Sequence, residues 1–274
     1  MHPFSYEGRH AVVTGGASGV GAALVELLHE LDAERVTVID RNPPKGKGDA
    51  FIAADLADED AVHGAIAAVD GTVDVLFNNA GVADTQPPRT VLSVNYLALR
   101  TLSEALLDRI PEGGAIVNTA STAGSLWRKR KDEIDELLAL DVLGDGWQQS
   151  LEWFDEHAAA FDEGPYNFSK GVVVRHTMRA SRPTMRRGIR TNAACPGPIA
   201  TPLDADFRAT AGDKVIDWNI REMAGRPVSA REVATTLAFL GSPAAGYVNG
   251  VDLDIDGGFF AAIATGQVDY SGRA

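Results

Sequence analysis

A single cysteine, Cys195, stands among 274 residues, so no disulfide can form within the chain. Positive charge is scarce too: 25 Lys and Arg face 38 Asp and Glu, for a formal net charge of −13. That balance argues against a phosphate-backbone partner such as DNA or RNA; beyond that it bears on solubility and not on fold. No apolar run is long enough to span a bilayer. The opening segment, Met1 to Glu7, lacks the basic stretch followed by an apolar one that marks a secretory signal. These absences lead to the expectation of a cytoplasmic protein with no membrane partner. The six histidines show no metal-ligand spacing, so no catalytic metal is expected. Cys195 itself reads as a small core residue at a strand end and not as a nucleophile.

What is present is enough apolar content, 45%, for a full core, and an alternation of strand and helix patterns. His10 to Thr14 reads as a short strand running into Thr14-Gly15-Gly16-Ala17-Ser18-Gly19-Val20-Gly21. Ala22, Val25, Leu28 and Leu31 then keep helical spacing. Strand, glycine turn and helix in this order form the context of a dinucleotide fingerprint. Glycines let the backbone turn tightly against a pyrophosphate, and the helix N-terminus supplies N–H donors. A second strand, Arg35 to Asp40, ends in an acid about twenty residues past the turn. Such an acid accepts from ribose hydroxyls and repels a 2′-phosphate, which points to NAD over NADP. Arg41 moderates that preference, and Asn42-Pro43-Pro44 leaves Asp40 a second reading as a strand-end turn residue.

Further strands are expected at 51–56, 73–77, 114–121, 188–197 and 251–258, the last with the alternating polarity of an edge. A helix through Ala61, Ile66 and Val69 follows the third, and a long helical pattern from Val91 to Leu107 carries Asn95. Asn is unfavourable inside a helix, so it marks either an exposed face or an inward amide that bonds backbone or water near a site. Alternating strands and helices imply a Rossmann-like α/β fold, a doubly wound parallel sheet of about seven strands. Ligands of such sheets bind at the C-terminal strand ends. Gly15, Asp40, Asp55, Asn79, Ser121 and Pro196 all fall at such ends.

Tyr166 and Lys170 are four residues apart, on one face of a helix. A phenol has a pKa of about 10, and a nearby ammonium lowers it. The pair therefore makes a proton donor and acceptor usable at about pH 7, although the same spacing also occurs on ordinary helix surfaces.

These pieces together resemble the short-chain dehydrogenase/reductase family over nearly the whole chain. They stand in family order: Thr14-Gly15-x-x-x-Gly19-x-Gly21, Asp55-Leu56, Asn78-Asn79-Ala80-Gly81, Asn95, Ser121, Tyr166-x-x-x-Lys170, Pro196-Gly197 and Asp256-Gly257-Gly258. The resemblance implies that Tyr166 is the general acid/base and that Ser121 bonds the substrate oxygen. It implies that Lys170 holds the nicotinamide ribose and lowers the tyrosine pKa, while Asn95 supports a water-linked proton path. It makes Gly15, Ser18, Gly19, Val20 and Gly21 the cofactor's glycine turn. Asp40 would then set the NAD preference, Asp55 and Leu56 flank the adenine, and Asn79 and Gly81 flank its ribose. Pro196, Ile199 and Thr201 would lie at the nicotinamide end. The implied activity is hydride transfer between NAD(H) and a hydrophobic secondary alcohol or ketone of steroid, cyclic or aryl-alkyl type. A non-catalytic NAD-binding regulatory protein on the same fold, or a dehydratase or epimerase, is the alternative.

One spacing departs from the common pattern: 45 residues separate Ser121 from Tyr166, more than most members show. The extra stretch, about 125–163, begins with the basic run Trp127-Arg128-Lys129-Arg130-Lys131. Two helical stripes follow, one through Ile134, Leu137 and Leu138, the other through Trp147, Leu151 and Phe154, separated by Gly144-Asp145-Gly146. It resembles the insertion of the 3α-hydroxysteroid dehydrogenase/carbonyl reductase branch, as do residues 91–96 and 242–250. The stripes are expected to pack on the rim or at a subunit contact; the alternative places Trp147, Trp153 or Phe154 in the substrate pocket. The basic run reads as a solvated helix start. The family implies a homodimer or homotetramer, with the insertion blocking or rearranging the usual helical seam. A second feature, about 203–226, sits where the family carries a substrate flap, and bears Phe207, Ile216, Trp218 and Met223. The whole of 1–274 is read as one Rossmann-fold domain.

Overall fold

Burial on both faces turns the apolar runs into strands. The strands are β1 (His10–Thr14), β2 (Arg35–Asp40), β3 (Ala50–Ala53), β4 (Val75–Asn78), β5 (Ala115–Thr119), β6 (Arg190–Pro196), β7 (Ile199–Ala200), β8 (Val228–Ser229) and β9 (Asp252–Ile255). In this computed structural model, which describes residues 2–46 and 48–269, seven of them form one parallel sheet in the order β3-β2-β1-β4-β5-β6-β9. β7 and β8 pair separately. The chain starts mid-sheet at β1, winds out to β3, then returns to β4 on the other side of β1. The crevice for a ligand therefore opens at the C-terminal ends of β1 and β4.

The helices are α1 (Gly19–Glu30), α2 (Glu59–Ala68), α3 (Pro88–Leu92), α4 (Ala98–Ala105), α5 (Lys131–Ala139), α6 (Gly146–His157), α7 (Gly164–Met185), α8 (Asp204–Ala211), α9 (Asp213–Met223), α10 (Ala230–Gly241) and α11 (Phe259–Ala264). The two-residue period of the strands sends neighbours to opposite cores. Val12, Leu76 and Ile116 join α4, α7 and the insertion on one face, while Val13, Phe77 and Val117 join α1 and α10 on the other. Tyr6 closes the second core, its hydroxyl donating to the Ala238 carbonyl at 2.6 Å. Among the described residues no helix is long and apolar enough to cross a membrane.

The pattern from Val91 to Leu107 is one helical rod broken by a π-turn, Ser93–Leu97, at Asn95. Asn95 is 1% exposed, which rules out the surface reading. The insertion forms α5 and α6, as the stripes predict, but its aromatics face away from the ligand crevice. Phe154, Phe161 and Trp153 pack on Phe168 of α7, with Phe161 and Phe168 stacked at 4.0 Å. The pocket reading of Trp147, Trp153 and Phe154 therefore does not hold: Trp147 and Phe154 are core residues, and Trp153 packs against the same core. The basic run is not simply solvated either. Trp127 to Arg130 lie in 3₁₀ turns (Thr122–Arg130), and the exposed Lys131 opens α5. Arg130 pairs with Glu163, and Arg128 covers the Trp127 ring at 4.5 Å. Lys131, Arg175 and Arg179 converge on Asp135, binding α5 to α7.

Candidate active site

The glycine turn is shaped by close approaches. Gly15, at φ +68°, ends β1 so near the next loop that a Cβ would lie 2.8 Å from the Ala80 Cα. A Cβ on Gly21 would lie 2.0 Å from the Gly15 carbonyl oxygen. Thr14 ties that loop in place, its hydroxyl oxygen accepting the N–H groups of Asn79 and Ala80, both at 3.0 Å. Ser18 is the extended residue that opens α1. At the end of β2, one Asp40 oxygen accepts the Ala17 N–H of the glycine turn and the other accepts the Asn42 N–H, each at 3.0 Å. Asp40 is thus a strand-end turn residue and also a wall of the crevice.

About three strand spacings away, roughly 14 Å, β5 and β6 deliver the second group. Ser121 follows β5; its hydroxyl oxygen accepts the Ala123 N–H at 3.1 Å and lies 3.4 Å from the Pro196 carbonyl to which it donates. Tyr166 and Lys170 come from the first turns of α7, where Pro165 suits the helix start. The Tyr166 N–H donates to Asp84 Oδ1 at 2.8 Å, and the Lys170 ammonium donates to the Thr119 carbonyl at 2.8 Å. Lys170 Nζ lies 5.7 Å from the centre of the Tyr166 ring. Asn95 works from behind: Oδ1 accepts the Val82 N–H at 2.9 Å, and Nδ2 donates to the Val82 carbonyl and the Ser169 hydroxyl. Both the Asn95 amide and the Lys170 ammonium border Gly81, 3.4 Å from where its Cβ would project.

A cleft of about 810 Å³ joins the two groups along the strand ends. The segment after β7 covers it. Phe207 of α8 meets the Tyr166 ring edge-on at 4.9 Å, and Ile216 and Met223 of α9 also line the cleft. Trp218 turns away onto Phe259 at 5.7 Å.

Burial dominates the electrostatics. It pushes the Tyr166 phenol up to about 12, opposed by the Ser121 hydroxyl and reinforced by the Asp84 charge. It brings the Lys170 ammonium down to about 8. Against the expectation that Lys170 draws the phenol toward neutrality, desolvation is the larger effect on Tyr166, while the Lys170 ammonium faces the ring and bonds to Thr119. Burial also raises the Cys195 thiol, in keeping with a core residue.

Two family models match: one described as short chain dehydrogenase over residues 9–130, the other as enoyl-(acyl carrier protein) reductase over residues 153–260. Coniferyl-alcohol dehydrogenase of Pseudomonas sp. strain HR199 is 34% identical over 247 residues, which cover 90% of this chain and 94% of that protein. The chain belongs to the short-chain dehydrogenase family. Among solved structures, the 3-alpha-hydroxysteroid dehydrogenase of Pseudomonas sp. B-0831, complexed with NADH, matches with a TM-score of 0.75 and 31% identity, covering 95% of this chain and 100% of that one. A structure from Agrobacterium tumefaciens with bound NADP matches with a TM-score of 0.70 and 27% identity, covering 95% and 100%. This short-chain dehydrogenase is thus an oxidoreductase built to bind a nicotinamide dinucleotide, and a catalytic reading is supported over a regulatory one.

The residues present suit such a cofactor, because Gly15 and Gly19, both at positive φ, leave backbone and not side chain on the crevice wall. Gly15, Ser18, Gly19, Val20 and Asp40 line its first part. Asp55, Leu56, Asn79 and Gly81 line it further along. Ser121, Tyr166, Lys170, Pro196, Ile199 and Thr201 complete the wall. Gly21 and Asn95 stand one layer behind it. The short-chain dehydrogenase cleft also uses residues that no motif marks. Asp84 holds the start of α7, Leu126 and Glu163 come from the ends of the insertion, and Phe260 from α11. Only Phe260 had a nearby signal, the Asp256-Gly257-Gly258 turn, where both Asp256 oxygens accept backbone N–H groups.

Proposed function

We propose that this protein transfers a hydride between NAD(H) and a hydrophobic secondary alcohol or its ketone. The observation that carries the reading is the meeting of Tyr166, Ser121 and Lys170 on one cleft wall whose far end presents the Asp40 carboxylate. The bound nicotinamide supplies the hydride chemistry. Tyr166 takes the hydroxyl proton in oxidation and returns it in reduction. Ser121, already oriented by Ala123 and Pro196, steadies the oxygen as its charge changes. Lys170, now donating to the Thr119 carbonyl, would hold the nicotinamide ribose, and Asn95 fixes the Val82 backbone and the Ser169 hydroxyl. Asp55 and Leu56 would hold the adenine, Asn79 and Gly81 its ribose. Phe207, Ile216 and Met223 exclude water and favour an apolar substrate body.

Asp40 supports NAD over NADP, since a carboxylate there accepts from ribose hydroxyls and opposes a 2′-phosphate. The substrate class draws on the alcohol and hydroxysteroid relatives. The edge strand β9, with Leu253 exposed on it and Tyr247 ahead of it 97% exposed, suits contact in a homodimer or homotetramer.

NADH absorbance tests the reading directly, with a panel of bulky cyclic and aryl secondary alcohols, each run with NAD and with NADP. NAD-linked oxidation supports it. No turnover with either cofactor in either direction, with NAD binding confirmed, removes it.

A further inference from the structure

Around Tyr166 the exposed charge of the wall is mostly negative, the one cation beside the ring, Lys170, being buried. Asp84 reaches the wall from the loop after β4, Glu163 from just before α7, and Asp204 and Asp206 from the first turn of α8 beside Phe207. Their counter-charges are unequal. Glu163 is held by Arg130 at 3.1 Å. Asp204 is held by Arg208 at 2.8 Å, but the same guanidinium also serves Asp213 at 3.1 Å and Asp217 at 2.9 Å. Neither Asp84 nor Asp206 has an ion pair among the described residues.

Cations on the cleft wall do not offset this. Arg41 sits at the far end beside Asp40. Lys170 is 3% exposed and committed to the Thr119 carbonyl. Arg130 and Arg208 are taken up by their own ion pairs, and Arg128 faces a smaller cavity behind Ser121 that it shares with Asp252 and Asp254.

We infer that this cleft rejects anionic substrates: its alcohol or ketone is uncharged and largely apolar, and Asp84 and Asp206 turn away carboxylates, phosphates and phosphate-linked acyl carriers. The inference rests on the alcohol-oxidoreductase reading and narrows it. An anion entering between two carboxylates that lack a cationic side-chain partner meets repulsion that the apolar walls of Phe207, Ile216 and Met223 leave poorly screened. A neutral ligand meets only those walls. Specificity of this kind is a difference between ligands, set by the unfavourable one.

The test uses one aryl secondary alcohol carrying a para carboxylate and its methyl ester, titrated calorimetrically into the full chain with saturating NADH, so that neither is oxidised. The ester is expected to bind about ten-fold more tightly than the acid, on the order of one close like-charge contact. Asp206→Asn should shrink that ratio, Asp206→Lys should shrink it further, and added salt should shrink it in the unaltered protein without any variant. Equal binding of acid and ester by the unaltered protein overturns the inference. So does a ratio that neither salt nor the Asp206 variants change. Ester binding without turnover in the NAD assay would instead sink the proposed activity and leave the charge selection standing.

Discussion

The Asp84 carboxylate accepts the backbone N–H of Tyr166 at 2.8 Å, and so ties the loop after β4 to the first turn of α7. Asp84 does for this helix what a capping residue does, although it comes from another part of the chain. Loss of such an acceptor costs about 0.5–2 kcal/mol. Asp84→Ala should lower the melting temperature and slow turnover by loosening Tyr166. Asp84→Asn keeps an acceptor and should melt close to the unaltered protein. It also removes a charge that helps hold the phenol up, so the alkaline limb of its pH–rate profile should move to lower pH. An unmoved limb in Asp84→Asn would leave Asp84 a purely mechanical role.

Tyr166→Phe should nearly abolish turnover while leaving NADH affinity within about two-fold, because the ring still packs on Phe207 and only the proton path is lost. The direction of the pH dependence follows from the same hydroxyl. Oxidation needs the phenolate, and burial holds the phenol up, to about 12. kcat/KM for oxidation should therefore climb from about pH 6 to 9, and that for ketone reduction should not. Stopped rates in both directions over that range check this; a flat oxidation profile would remove Tyr166 as the base.

Asp40→Ala should relax the choice of cofactor. The substitution removes acceptors for the Ala17 and Asn42 N–H groups as well as the charge, so NAD affinity should fall by about ten-fold while NADP affinity rises. Asp40→Asn separates the two effects, keeping an acceptor and losing the charge. Fluorescence titration with both cofactors reads the result, and an unaltered protein that already prefers NADP would defeat the argument at the start.

Strands bounded by glycine and charge were readable to the residue, as with His10–Thr14 and Arg35–Asp40, because burial on both faces leaves an uninterrupted apolar run. β4 begins later than its pattern. Val73 bonds elsewhere, its N–H on the Arg109 carbonyl, whereas Asp74 already bridges the neighbouring strands, its N–H donating to the His10 carbonyl at 2.9 Å and its carbonyl accepting the Ala115 N–H at 3.0 Å. The wall residues of the glycine turn and of Tyr166 and Lys170 were legible from short-range order. The π-turn at Asn95 was not, since the partner of its amide, the Val82 backbone, is reached only through the fold. Asp84 was not legible for the same reason, its partner being 82 residues away. Helix spacing reveals a nearby ammonium but not the desolvation that opposes it at Tyr166. The insertion's aromatic stripe fits packing and pocket alike, and only the Phe168 face of α7 decides between them.

His176 gives the last prediction, which concerns stability below neutrality. It lies on α7 against the Tyr96 ring of the π-turn at 6.0 Å, and burial with the charges of Arg100 and Arg179 brings its imidazole down to about 3. An unfolded histidine titrates at about 6.5. Above that pH both states are neutral and the residue adds no pH dependence. As pH falls from about 6.5 toward 3, the unfolded chain takes a proton that the folded chain refuses, so stability declines, by at most about 1.4 kcal/mol per pH unit. His10 is shifted the same way and adds to the decline. Asp254, held up at about 6 by burial, opposes it, since the folded chain is then the one that binds the proton. Asp135, kept down at about 2 by Arg175, acts only at lower pH. The slope of the unaltered protein mixes these groups, but its difference from His176→Phe isolates one of them, and a phenyl ring keeps the edge contact with Tyr96. Urea melts of both proteins from pH 7 to about pH 4.5 should converge or cross, with His176→Phe losing less stability on acidification. Parallel curves would mean that the folded protein admits the proton, and that the site between Tyr96 and Arg100 opens to water.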